Sequence, residues 1–192
     1  MNIALFASGT GTNVKNIINY FKSDENIKIN IVLSNKHNSG ALTFAKKNNI
    51  DTCVFNRDEL CNTNSILDII KKRNIELIIL AGFLLKIPKQ FIENFRGKII
   101  NIHPSLLPKY GGKGMYGENV HKAVINNKEK QSGITIHYVN ENYDDGNIIF
   151  QTKCIVKDTE TSLSLAKKIH KLEHKYFPEI INDIIKKQIK KF

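Results

Sequence analysis

Residues 2–21 read NIALFASGTGTNVKNIINYF, and this stretch decides the fold. Asn2–Ala7 is a short apolar run that reads as a buried strand. Thr12–Phe21 carries Val14, Ile17, Ile18 and Phe21 at helical spacing. Between them lies Ser8-Gly9-Thr10-Gly11-Thr12-Asn13, a glycine-rich passage from strand to helix. The same alternation continues outward. Ile27–Leu33 alternates as a strand and Ala41–Asn48 reads as a short helix. Thr52–Phe55 reads as a strand, Ser65–Lys72 as a helix and Glu76–Leu80 as a strand. Lys98–Asn101 is a further strand and Asn119–Asn126 a further helix.

Repeated strand–helix alternation is the pattern of a parallel sheet covered on both faces. After Gly133 the pattern changes. Ile134–Val139 and Ile148–Ile155 are strand-like runs joined by the polar loop Asn140–Asn147, an antiparallel extension. From Thr161 a helical stretch follows, with Leu163, Ala166, Ile169 and Leu172 on one face, and Pro178 opening a second segment. The expected fold is therefore α/β. It is a single-domain, Rossmann-like, mostly parallel sheet over residues 1–192, with an antiparallel C-terminal extension and a long C-terminal helix.

The composition narrows the class. With 192 residues, 41% apolar and 24% charged, the chain is long enough for one well-filled core. Its longest apolar run, Leu77–Leu85, falls short of the ~20 residues that span a bilayer. The N-terminus lacks the cationic and apolar regions of a secretory signal. Cys53, Cys61 and Cys154 show no CxxC or paired spacing, which argues for thiols in a reducing, cytoplasmic setting. The net charge is +11, yet Arg57, Arg73 and Arg96 are the only arginines among 29 basic residues. Recognition of nucleic acid favours arginine forks. Much of the lysine excess sits in pairs at helix-like ends: Lys46-Lys47, Lys71-Lys72, Lys167-Lys168, Lys186-Lys187 and Lys190-Lys191. Cations there meet the helix dipole favourably. Small anionic substrates, and neither nucleic acid nor membrane, are the partners this composition suits.

Four motifs carry chemistry. The Ser8–Asn13 turn combines glycines that allow close approach with a helix N-terminus, which suits a phosphate. It lacks the third glycine of a dinucleotide fingerprint, since position 14 is Val14, and Asn35 stands where an acidic residue would be needed. Without a ligand, the same turn would be a plain helix start capped by Thr10 or Thr12. The second motif is Asn101-Ile102-His103-Pro104-Ser105-Leu106-Leu107-Pro108, at the C-terminal end of a strand, where open α/β sheets hold ligands. Asn101 and His103 are two apart and so share a face, an amide and an imidazole able to stabilise an oxyanion. The third is the loop Asn142–Asn147, where Asp144 beside His103 would orient the ring for general acid chemistry. Ordinary turn chemistry is the alternative there. The fourth, Tyr110–Gly117, holds four of the eleven glycines and reads as a mobile loop, either one that covers the substrate or a plain surface turn. His37, His121, His137, His170 and His174 show no metal-binding spacing, so no metal is expected.

On these residues the sequence resembles the small bacterial type of phosphoribosylglycinamide formyltransferases, within the wider family of 10-formyltetrahydrofolate-using formyltransferases and hydrolases. The resemblance runs through SGTGTN at 8–13, LSNK at 33–36, LAGFL at 80–84, NIHPSLLPKY at 101–110 and HKAV at 121–124. It continues through SGITIHYVNENYDDG at 132–146, IIFQ at 148–151 and LEHKYFPEII at 172–181. It implies a formyl transfer from 10-formyltetrahydrofolate, the cosubstrate, to the amine of 5-phosphoribosylglycinamide, the third step of purine synthesis. It implies Asn101, His103 and Asp144 as the catalytic trio, with direct amine attack and no metal. Gly11, Thr12 and Asn13 match the phosphate loop, Glu173 a ribose contact and His170 a phosphate-side position that is often Lys or Gln. Leu84, Leu85, Lys86 and Ile87 would line the folate, together with Asn140, Glu141, Asn142, Tyr143 and Asp144. His137 would lie behind the trio. The match departs at Asp145, where many relatives have Gly, and in the short Asn56–Asn64 segment, where Arg57 is the candidate folate arginine. A methionyl-tRNA formyltransferase would carry a further C-terminal domain and a formyltetrahydrofolate deformylase an N-terminal one. The chain offers room for neither, and a monomer or homodimer is expected.

Overall fold

In the computed structural model, residues 1–189 are described; the Lys190-Lys191 pair lies outside them. Seven strands make one sheet: β1 (Asn2–Ala7), β2 (Lys28–Ser34), β3 (Asp51–Val54), β4 (Leu77–Leu80), β5 (Lys98–His103), β6 (Gln131–Tyr138) and β7 (Ile148–Ile155). Their order is β3-β2-β1-β4-β5-β6-β7. The helices are α1 (Thr12–Phe21), α2 (Gly40–Lys47), α3 (Arg57–Cys61), α4 (Ser65–Lys72), α5 (Lys89–Asn94), α6 (Glu118–Asn126) and α7 (Ser162–Ile189). Pairing is parallel from β3 through β2, β1 and β4 to β5. β6 and β7 pair antiparallel, as two strand-like runs joined by a polar loop predict. The chain divides into two compact units, Met1–Asn101 and the part from Ile102 onward.

In the first unit, β1 and β4 are central and their apolar runs are covered completely. Ile3 to Ala7 and Leu77 to Ile79 are all 0% exposed. That explains why these strands read as continuous apolar runs rather than alternating ones. Phe6 gathers Phe83, Phe55 and Phe91 edge-on, at centroid distances of 5.4, 5.9 and 6.5 Å. The strand order reverses between β1 and β4, so the loops after these two strands flank the crevice where such sheets take ligands.

Two helices were absent from the sequence reading. α3 opens with a capping box in which Asn56 and Glu59 satisfy each other's backbone N–H groups. That signature was present in the sequence. α5 follows Pro88, its N-cap, which is extended (φ −64°, ψ 147°) as cap residues usually are.

In the second unit, α7 runs unbroken through Pro178. The expected second segment is thus the same helix. Pro178 forfeits one backbone bond. Buried side chains on both sides of it hold the helix together: Leu165, Ile169, Phe177, Ile181 and Ile185. These are spaced by four residues or a multiple of four, not by three. A three-residue step lags about 60° behind a full turn. The expected row from Leu163 therefore swings off the core side, and Leu163 is exposed. The lysine pairs of α2, α4 and α7 sit in last turns as expected. Lys168 instead pairs with Glu160.

Candidate active site

In the first unit the Ser8–Asn13 turn leads from β1 straight into α1. Gly11 is the N-cap of α1 in the left-handed conformation, φ 78°. No side chain caps this helix, so neither Thr10 nor Thr12 does the capping. The first-turn N–H groups of a helix have no intrahelical acceptor and carry the positive end of its dipole, the setting that favours phosphate. A Cβ on Gly11 would stand 2.5 Å from the Ala41 backbone, and one on Gly40 2.3 Å from the Thr10 carbonyl oxygen. The turn and the start of α2 are thus in direct contact. Ser39 closes that contact by donating to the Gly9 carbonyl at 2.9 Å.

Ser8 links the turn to the loop after β4. Its hydroxyl donates to Asn35 Oδ1 at 2.7 Å and accepts from the Leu84 N–H at 2.9 Å. The Ser8 N–H donates to the Gly82 carbonyl at 2.9 Å. Asn35, noted only for not being acidic, thus orients the turn. The predicted folate stretch hangs from this link. Leu84 and Lys86 are exposed and Leu85 half-buried, whereas Ile87 is sealed in the core. Gly11→Ala is expected to lower stability by roughly 1–3 kcal/mol, through a left-handed Ala that also collides with α2. Thermal denaturation checks this; an unchanged midpoint contradicts the turn geometry.

The second unit holds the histidine. His103 ends β5 and is buried, while Asn101, two residues earlier on the strand, is half-buried. His103 Nε2 lies 2.7 Å from the Tyr110 carbonyl oxygen. A carbonyl only accepts, so Nε2 carries a proton. His103 Nδ1 lies 3.5 Å from Asp144 Oδ2. The same Oδ2 accepts the Gly112 N–H at 2.9 Å. Asp144 is thereby clasped by the glycine-rich segment. Gly112 and Gly114 both have positive φ, and no atom stands near a Cβ built on either.

Asp144 itself adopts φ 52°, a conformation short polar residues tolerate. Gly146 allows the close return of this loop, since a Cβ there would stand 1.8 Å from the Tyr138 carbonyl oxygen. His137 Nε2 is 3.8 Å from Asp144 Oδ1, and His137 Nδ1 donates to the Tyr138 carbonyl at 2.9 Å. Burial pushes the His137 pKa down. It therefore adds a neutral ring beside Asp144. Asn140, Glu141, Asn142 and Tyr143 complete the loop, half-buried to exposed. Asp145 accepts from the side-chain amides of Asn142 and Asn140 at 3.0 and 3.3 Å. The added acid thus braces the loop from its outer side, and these bonds hold its carboxyl below the usual range.

The corner between His103 and Tyr110 is propped from behind. Thr135 is fully buried, donates to the Ser105 carbonyl at 2.7 Å and accepts the Leu107 N–H at 3.0 Å. Gln151 donates to the Leu107 carbonyl at 2.9 Å.

On α7, Glu173 falls within the four-residue series of buried positions that is otherwise apolar, and is itself 5% exposed. A carboxylate there costs desolvation unless it is engaged. His170 Nδ1 is 2.9 Å from Glu173 Oε2, and this bond raises the His170 pKa. His121 on α6 received no role from the sequence. It is 3% exposed, its Nδ1 has no hydrogen-bond partner among the described residues, and burial lowers its pKa. Arg57 is exposed on α3. Among the described residues no group of three or more His, Cys, Asp or Glu could hold a metal, and no helix is long and apolar enough to cross a membrane.

Comparison with known proteins places this geometry. A model of the formyl transferase family matches residues 1–181. The chain is 37% identical over 195 residues to a chloroplastic phosphoribosylglycinamide formyltransferase of Arabidopsis thaliana, covering 98% of this chain and 66% of that protein. With the Vigna unguiculata protein the share of the relative is 62%, so the chain spans somewhat less than two thirds of these plant relatives. It is 35% identical to the phosphoribosylglycinamide formyltransferase of Haemophilus influenzae, covering 93% of this chain and 84% of that one. Among solved structures, the Geobacillus kaustophilus glycinamide ribonucleotide transformylase 1 aligns with TM-score 0.86 at 29% identity, covering 95% and 97% of the two chains. The phosphoribosylglycinamide formyltransferase of Anaplasma phagocytophilum aligns with TM-score 0.85 at 32% identity, covering 94% and 84%.

Proposed function

Because the chain belongs to the formyl transferase family, we propose that it moves the formyl group of 10-formyltetrahydrofolate to the amine of 5-phosphoribosylglycinamide. The products are formylglycinamide ribonucleotide and tetrahydrofolate. The observation that carries this reading is the placement of Asp144 Oδ2 3.5 Å from His103 Nδ1, with both side chains largely withdrawn from water.

The substrate amine attacks the formyl carbon and a tetrahedral intermediate forms. The Asn101 amide and the protonated ring of His103 meet the charge that develops on the formyl oxygen. Such donors are effective because they are already oriented when the charge appears. Asp144 accepts the proton that the attacking amine loses, directly or through water. The bond from carbon to N10 then breaks, and N10 leaves with the proton that Asp144 took from the amine, passed on through water. Holding both reactants in line supplies much of the remaining rate. Gly11, Thr12 and Asn13 take the substrate phosphate; Glu173 takes the ribose hydroxyls, with His170 beside it. Leu84, Leu85 and Lys86 and the loop 140–144 receive the folate, with Ile87 as the buried support beneath. This reading treats residues 1–192 as one formyltransferase domain acting in the cytoplasm as a monomer or homodimer. It is supported by a single family match that runs across both compact units.

A spectrophotometric assay of folate product tests the reaction. Turnover that requires both 5-phosphoribosylglycinamide and 10-formyltetrahydrofolate is expected. No turnover with this pair, under conditions where a related enzyme is active, overturns the reading.

A further inference from the structure

Tyr110 holds a backbone conformation, φ 57°, that a bulky side chain rarely adopts. Its surroundings explain why it stays there. The Tyr110 hydroxyl donates to Glu129 Oε1 at 3.0 Å. The preceding peptide is held as well, since the Lys109 carbonyl accepts from the buried Ser105 hydroxyl at 2.6 Å. What this double anchorage fixes is the Tyr110 carbonyl, the group that accepts from His103 Nε2 at 2.7 Å. The orientation of the ring, and the nitrogen that keeps its proton, are therefore set by a residue outside the trio. Glu129 lies at the far end of this chain of contacts and has no contact with His103 of its own.

We propose that Glu129 is a positioning residue for the reaction, acting on His103 through Tyr110. The inference rests on the function proposed above. Glu129 Oε1 also accepts from Lys109 Nζ at 3.0 Å, but the lysine side chain is mostly exposed. A surface ion pair of this kind contributes little. The bond to the tyrosine hydroxyl is the one that transmits.

The test uses the whole chain with histidine labelled by 15N and the His103 ring signals assigned by their loss in His103→Asn. In the unliganded wild type, Nε2 is protonated. At a pH where the unliganded ring is neutral, the His103 signals of Glu129→Ala and of the isosteric Tyr110→Phe move toward a tautomer mixture. In the same variants kcat falls about tenfold with both KM values unchanged, the loss expected of slight misalignment at the reacting centre. Glu129→Gln, which keeps an acceptor for the hydroxyl, restores kcat, and Lys109→Met leaves it at the wild-type value. The double variant is no worse than either single one, because the two residues act through one contact. Unchanged His103 signals in Glu129→Ala and Tyr110→Phe overturn the proposal, as does a loss confined to KM. The ring signals are read without substrate. A wild type inactive in formyl transfer would therefore remove the proposed reaction while leaving the Glu129–Tyr110–His103 coupling to be decided by the spectra.

Discussion

His103→Ala lowers kcat/KM for formyl transfer by about a thousandfold or more, while the phosphorylated amine still binds. Loss of one oriented oxyanion donor costs about 10²- to 10³-fold in comparable sites. Loss of a positioned proton donor costs about 10²- to 10⁴-fold, and the two overlap in a single ring. Binding survives because the phosphate site proposed above uses other residues, the Gly11 turn and the start of α1. The substitution also opens a cavity at a buried position. His103→Asn is the companion variant that keeps volume and a hydrogen-bond donor. Kinetics by folate absorbance and titration calorimetry with the phosphorylated amine check both halves. Turnover within tenfold of wild type in His103→Ala would remove the ring from the chemistry. Loss of binding together with turnover would instead mean that the variant had lost its fold.

Most strands and helices of the first unit are readable because their signals are local. Thr12–Phe21 and Asn2–Ala7 have observed bounds identical to those expected, the first from its helical period, the second from its unbroken apolar run, with a glycine-rich break between them. The same is true of Ile148–Ile155 and Ser65–Lys72. Arg57–Cys61 was missed although Asn56 and Glu59 spelled out its start, because a five-residue helix has too few apolar positions to show a period. On α7 the reading failed for a different reason. Both three- and four-residue apolar rows pass through Ile169, and only packing selects the row that contains Leu165, Phe177 and Ile181.

At the site, His103 was legible as a chemical group at a strand end, and its proximity to Asp144 was carried by the resemblance rather than by spacing, since 41 positions separate the two. The role of Tyr110 was not legible. Its contribution to His103 is a backbone carbonyl, which every residue type carries. Glu173 could have been found from residues alone. A carboxylate at the fourth-residue position between Ile169 and Phe177 interrupts an apolar stripe, and such an interruption marks either a paired group or a binding group.

Asp144→Asn separates charge from shape at the same centre. In the wild type Asp144 Oδ2 accepts the Gly112 N–H at 2.9 Å and faces His103 Nδ1 at 3.5 Å. An asparagine can keep its carbonyl oxygen on Gly112, because that N–H requires an acceptor there. The same oxygen then faces His103 as a neutral group. Asparagine also tolerates the left-handed backbone at φ 52°, so the loop from Asn140 to Gly146 keeps its course. What is removed is the negative charge opposite the imidazole and the capacity to take the amine proton. The expected loss is about 10³-fold in kcat, with KM for both substrates little changed, because the interaction serves the transition state more than the ground state. Asp144→Ala should lose as much in kcat and should also free the Gly112 segment, which would show as faster amide exchange between Tyr110 and Gly117. Combining Asp144→Asn with His103→Ala should cost hardly more than His103→Ala alone, since residues that act as one unit are not additive. Full additivity of the two losses would mean that carboxylate and ring serve separate steps, and near-wild-type turnover in Asp144→Asn would exclude the charge from the reaction altogether.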